Sequence, residues 1–111
     1  MQLEPRLRAI VAQEYPRFSD AEFARRHQAL ARELGKDGIT VNALAPGFTL
    51  SEGVLKHPLH LKQGEITKMT RAIQRDEKPE DLVGAVSFLA SDDAAFMTGQ
   101  TMVVDGGSAM I

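Results

Sequence analysis

The chain has 111 residues, 43% hydrophobic and 25% charged, with a net charge of −2; that is the length of one small domain, or part of one, with enough apolar side chain for a core. Without a basic excess there is no electrostatic footprint for nucleic acid or an anionic membrane, and without cysteines there are neither disulfides nor thiolate chemistry. No apolar run reaches the length of a membrane span, and the opening MQLEPRLRAIVAQEYPRF is broken by charge every few residues, so the expected location is cytoplasmic.

In chain order, residues 3–14 are compatible with a short amphipathic helix carrying Leu7, Ile10 and Val11 on one side, interrupted at Pro16. Ser19-Asp20-Ala21-Glu22 has the form of a capping box. After it, Phe23, His27, Leu30, Ala31 and Leu34 recur at helical spacing, which predicts a helix over 20–34 with Gly35 as its left-handed C-terminal cap. Asp37-Gly38 signals a turn. Residues 39–45 then form an apolar run without clean alternation, the pattern of a strand covered on both faces in a parallel sheet, and the run stops on Pro46-Gly47.

Residues 48–75 are the least regular stretch, broken by two glycines and a proline, with only 65–74 reading as helical. Pro79-Glu80-Asp81 opens a strong helix: proline is tolerated in the first turn, and the two carboxylates sit at the positive end of the helix dipole. Leu82, Val83, Val86, Leu89 and Ala90 form its expected buried stripe. Thr98-Gly99 leads into a final strand over 100–104, closed by Asp105-Gly106-Gly107. Two apolar strands joined through a helical crossover imply parallel pairing and a right-handed βαβ unit, the grammar of an open α/β sheet.

Taken together, Val41-Asn42, Pro46-Gly47, Pro79-Glu80-Asp81, Thr98-Gly99-Gln100 and Asp105-Gly106-Gly107 resemble the C-terminal part of the short-chain dehydrogenase/reductase family, from about residue 29 to residue 107. The resemblance implies a fold class: α/β, the C-terminal part of a Rossmann-type doubly wound parallel sheet, here incomplete. It divides the chain into an N-terminal helical segment, 1–28, that does not match the family, and a family-like segment, 29–111, with a substrate lid over about 48–75. It also implies a role for the strand end. Ligands of open α/β sheets sit beyond the carboxyl ends of the strands, and in this family Pro46 and Gly47 would shape the wall around the nicotinamide ring of NAD or NADP. Backbone groups of Phe48 and Thr49 would meet the carboxamide, with the Ser51 hydroxyl serving the same end of the cofactor.

Other parts of the family pattern are absent from these residues. A phosphate-cradling glycine loop needs residues without a Cβ close to the pyrophosphate, yet glycine first occurs at position 35. The family's chemistry is hydride transfer between cofactor and a carbonyl or alcohol, with a tyrosine as general acid or base whose pKa a nearby lysine lowers. The single tyrosine, Tyr15, has Ser19 four residues on, and no lysine occurs before Lys36. Counting back from Gly35, the family's lysine and tyrosine positions fall on Asp20 and Pro16. No catalytic residue is therefore assigned.

His57 and His60, separated by Pro58-Leu59 and without a third ligand nearby, have poor zinc spacing, so no metal site is assigned; Asp92-Asp93 fits a solvated helix end. Leu50, Val54, Leu55, Leu59, Leu61 and Met69 hint at an apolar ligand or at packing of the lid. Two functional expectations follow. One is an NAD(P)-dependent oxidoreductase lineage acting on a small carbonyl or alcohol, truncated by a lost or misassigned start and inactive alone. The other is a non-catalytic remnant that forms a homo-oligomer or pairs with intact relatives, because the strand at 39–45 would leave an edge open to pairing.

Overall fold

The computed structural model describes residues 8–12 and 20–109. Three strands, β1 (Arg8–Ala12), β2 (Thr40–Pro46) and β3 (Thr101–Val104), form one sheet in the order β1-β2-β3. The first two pair in parallel, with Arg8 opposite Thr40 and Ala12 opposite Leu44. Between them runs α1 (Asp20–Leu34). The crossover from β2 to β3 carries α2 (Glu52–Leu55), α3 (Pro58–Thr70) and α4 (Glu80–Ala90). The alternation of strand and helix is that of an incomplete Rossmann-type sheet. No helix among the described residues is long and apolar enough to cross a membrane.

β1 departs from the expected helix over 3–14. Arg8–Ala12 includes adjacent β-branched Ile10 and Val11, and the β2 edge offers a row of backbone partners that an isolated short helix cannot match. The edge of β2 expected to stand open is therefore paired. β2 itself behaves as its composition requires: Thr40, Val41, Asn42, Ala43 and Leu44 are all buried, and only its last residue, Pro46, is exposed.

The described residues belong to two compact units, 1–45 with 85–102 and 46–84 with 103–111. In the first, α1 spans the expected 20–34 and buries Phe23, His27 and Ala31, whereas Leu30 is 44% exposed and stands outside the core face. Ser19 of the expected capping box and Tyr15 lie outside the described residues. The left-handed residue after α1 is Gly38 (φ 75°), not Gly35: Gly35–Asp37 continues as one 3-10 turn, and the Gly38 N–H donates to the Gly35 carbonyl. The chain before β3 is locked to β2 by Asn42, whose Nδ2 donates to the Met97 carbonyl (2.9 Å) while its Oδ1 accepts from the Gln100 N–H (3.1 Å). The Val41 N–H donates to Thr98 Oγ1 and the Gly99 N–H to the Val41 carbonyl, and the Ala43 N–H completes the pairing onto Gln100.

In the second unit, α3 begins seven residues earlier than the expected 65–74 and ends at Thr70. Pro58 sits in its first turn, where no N–H is required. Gly64, read from the sequence as a breaker, is buried within α3 because the Phe48 ring lies against it; a Cβ there would be 3.0 Å from Phe48 Cε1. Of the expected stripe on α4, Val83 in this unit is 63% exposed, and of the residues that fall in the first unit Val86 is 40% exposed and only Leu89 is buried. At the start of α4 the Asp81 carboxylate accepts from the Lys78 N–H (2.8 Å).

Candidate functional site

The corner that follows β2 is held residue by residue. Pro46 has no N–H to give, and pairing toward β3 resumes at Gly47, whose N–H donates to the Val104 carbonyl (3.0 Å). Gly47 cannot be replaced without displacement: a Cβ there would lie 2.7 Å from Asp105 Cβ and 2.7 Å from Glu77 Oε1. The Phe48 carbonyl accepts from Arg71 Nη2 (2.7 Å), and Thr49 Oγ1 donates to the Gly47 carbonyl (2.9 Å). Thr49 forms a parallel bridge with Glu77, and the Leu50 N–H donates to the Glu77 carbonyl (2.8 Å). Ser51 caps α2, its hydroxyl accepting from the Val54 N–H at 3.4 Å. All five residues expected at the cofactor, Pro46, Gly47, Phe48, Thr49 and Ser51, thus stand in one turn at the carboxyl end of a parallel strand.

Behind the turn lies a pair of side chains that the sequence did not single out. Arg71 and Glu77 are 4% and 5% exposed, and Arg71 Nη2 stands 3.8 Å from Glu77 Oε1. Arg71 Nη1 also donates to the Arg75 carbonyl (2.8 Å). Neither carboxylate oxygen of Glu77 has a hydrogen-bond partner among the described residues. Burial pushes the Glu77 carboxyl above its ordinary pKa, with the Arg71 cation pulling the other way. In sequence the two residues belong to a stretch of mixed charge, Arg71 to Glu80, that reads as solvated surface; no local signal marks them as buried.

Asp105 closes the back of the site. Its Oδ1 accepts from the Gly107 N–H and its Oδ2 from the Ala109 N–H, both at 2.9 Å, while Gly106 (φ 66°) and Gly107 (φ 89°) supply left-handed turns. The Gly106 carbonyl accepts from the Ile73 N–H (2.8 Å). Outside the buried pair, Arg75 makes a two-pronged ion pair with Asp81, both contacts 2.8 Å, which holds the Asp81 carboxyl far below the usual carboxylate range.

Along the expected lid, Leu55, Leu59, Leu61 and Met69 are exposed. His57 and His60 sit at the start of α3 with ring centroids 5.0 Å apart. No group of three or more metal-ligating side chains occurs among the described residues.

Residues 21–109 match the family model described as enoyl-(acyl carrier protein) reductase. Over 84 residues the chain is 43% identical to the 3-oxoacyl-(acyl-carrier-protein) reductase FabG of Rickettsia felis, covering 76% of this chain and 34% of that protein. It is equally similar, 43% over 84 residues, to nodulation protein G of Rhizobium meliloti, with the same coverage. Among solved structures it resembles a 4-hydroxyisoleucine dehydrogenase complexed with NADH (TM-score 0.63, 29% identity, 78% of this chain and 34% of that one). It also resembles a candidate gluconate dehydrogenase of Agrobacterium tumefaciens (TM-score 0.69, 28% identity, 82% of this chain and 36% of that one). The chain spans about a third of the length of the curated relatives it matches. The matched residues begin at 21, ahead of the expected 29, and so take in the whole of α1 after its first residue. The chain belongs to the short-chain dehydrogenase/reductase family of NAD(P)-dependent oxidoreductases, and what it shares with that family is the C-terminal portion.

Proposed function

We propose that residues 46–51 form the nicotinamide-facing wall of an NAD- or NADP-binding pocket, in an oxidoreductase that exchanges hydride with a small carbonyl or alcohol. The observation that carries this reading is the rigid corner itself. At the carboxyl end of β2 the backbone is fixed at Gly47 by Val104, at Phe48 by Arg71 and at Leu50 by Glu77, where open α/β sheets receive their ligands. The likeness to a dehydrogenase complexed with NADH supports it.

The residues present fit the nicotinamide end of the cofactor and no more of it. Pro46 leaves an exposed, unbranched rim, and Phe48 and Thr49 are half-buried with their backbone restrained, so this turn would orient the ring and its carboxamide. The cofactor, when bound, supplies the hydride. No glycine precedes position 35 to receive a pyrophosphate, and no Tyr-x-x-x-Lys occurs to move a proton. Residues 1–111 therefore shape a binding wall without turning over substrate by themselves. The segment over 48–75, mostly α2 and α3, serves as the lid, and the setting is cytoplasmic.

A second reading, an interaction role with intact relatives or with another copy, draws support from the fully exposed Phe96 and the exposed Val83. Titrating NADH and NADPH against the pure chain, with nicotinamide fluorescence and ketone reduction followed in parallel, tests the first reading. Recognition of the nicotinamide without turnover is expected. Ketone reduction by residues 1–111 alone contradicts it.

A further inference from the structure

We propose that Arg71 is a positioning residue for the nicotinamide-facing corner, with Glu77 as the buried counter-charge that keeps its guanidinium in place; the inference rests on the reading of 46–51 just given. Both side chains are almost fully withdrawn from water. A buried ion pair offsets its desolvation only with close contact and full hydrogen bonding. Here the contact is 3.8 Å and both Glu77 oxygens lack hydrogen-bond partners among the described residues, so the pair is a poor device for stability.

Its geometry is better matched to holding backbone. One guanidinium nitrogen donates to the Phe48 carbonyl at 2.7 Å and the other to the Arg75 carbonyl at 2.8 Å. On the opposite side, Glu77 receives the Leu50 N–H on its carbonyl and sets its carboxylate against Gly47. Gly47, Phe48, Thr49 and Leu50 are thus each bonded to, bridged to, or in contact with one of the two. Arg71 is also the residue immediately after α3, and the Phe48 ring rests on Gly64 of that helix. The lid helix and the corner share one anchor. Lysine cannot substitute: one ammonium nitrogen cannot span two carbonyls in the fixed fork of a guanidinium.

The test is amide hydrogen exchange on the full chain, read at the Gly47 and Leu50 N–H groups, in Arg71→Lys and in the double variant Arg71→Met/Glu77→Gln. The first keeps a cation opposite Glu77; the second removes both buried charges, so each addresses folding differently. In both, exchange at Gly47 and Leu50 is expected to quicken by about tenfold or more, the ratio for losing one charge-assisted hydrogen bond, while Ala43 and the interior of α4 keep their rates. Nicotinamide mononucleotide should bind the variants about tenfold more weakly than the parent chain. Unchanged exchange at Gly47 and Leu50 overturns the proposal, as does a uniform acceleration at every amide in both variants, which would make the pair a prop for the whole fold. If the parent chain ignores nicotinamide mononucleotide while the corner still loosens selectively, the nicotinamide reading falls and the anchoring by Arg71 stands.

Discussion

Gly47 and Asp105 meet back to back: a Cβ on the glycine would stand 2.7 Å from the aspartate Cβ and 3.0 Å from its Cα. The strand-ending Pro-Gly and the terminal Asp-Gly-Gly, far apart in sequence, are thus two sides of one close contact. Gly47 has no left-handed backbone to excuse it, so the requirement is purely for space. Gly47→Ala is expected to destabilise the chain by about 1–3 kcal/mol, the usual penalty for overpacking. Urea denaturation followed by circular dichroism checks it, and an unchanged midpoint would mean that the contact relaxes at no cost.

Asn42 makes a comparable connection within the first unit. It is 2% exposed, and its amide serves the Met97 carbonyl and the Gln100 N–H at once. Asn42→Ala removes both part-buried bonds, each worth about 0.5–1.5 kcal/mol. Loss of stability at the upper end of that range or beyond, with faster exchange at Gln100, is the expected outcome in chemical denaturation.

Two carboxylates should leave opposite marks on the pH dependence of stability. Asp81, held low by Arg75 and by the Lys78 N–H, contributes stability above the unfolded carboxylate range of about 4 and loses it as pH falls toward its depressed folded value. Glu77, raised by burial, favours the folded state when protonated; that contribution is full below the unfolded range and is lost as pH rises through its elevated folded value. Asp81→Asn should therefore flatten the acid-side loss, and Glu77→Gln the loss on the way up. Urea midpoints from about pH 2 to 8 distinguish them.

The end of α1 gives a contrast between two glycines. Gly38 is left-handed at φ 75°, whereas Gly35 has open space where a side chain would go. Gly38→Ala should cost about 1–2 kcal/mol, and Gly35→Ala should be neutral or stabilising by about 0.4–1 kcal/mol through the unfolded chain. Thermal melts of the two variants side by side decide whether Gly38 alone carries the turn.

Elements with a complete local code were legible in the sequence. α1 had a periodic apolar face, β2 a run apolar on both sides, and α4 a proline and two acids at its start; each appears within a residue or two of its expected bounds. What failed was decided by partners distant in sequence. Arg8–Ala12 became a strand because β2 had an edge to offer. α3 runs through Gly64 because Phe48 fills the space that a side chain would take. Val83 and Val86 kept their apolar pattern without being covered. The strand end at Pro46-Gly47 is visible in sequence, and the family resemblance suggests a role for it; the burial of Arg71 and Glu77 is not visible, because a buried ion pair looks like surface charge until the fold closes over it.

The central claim, that the corner after β2 faces a nicotinamide ring, is tested most directly by amide chemical shifts in the full chain during titration with nicotinamide mononucleotide and, separately, with adenosine monophosphate. Shifts concentrated at Gly47, Phe48, Thr49 and Ser51 with the nicotinamide half, and absent with the adenosine half, are the predicted result. Equal responses to both halves, or a nicotinamide response centred away from this turn, would contradict the account.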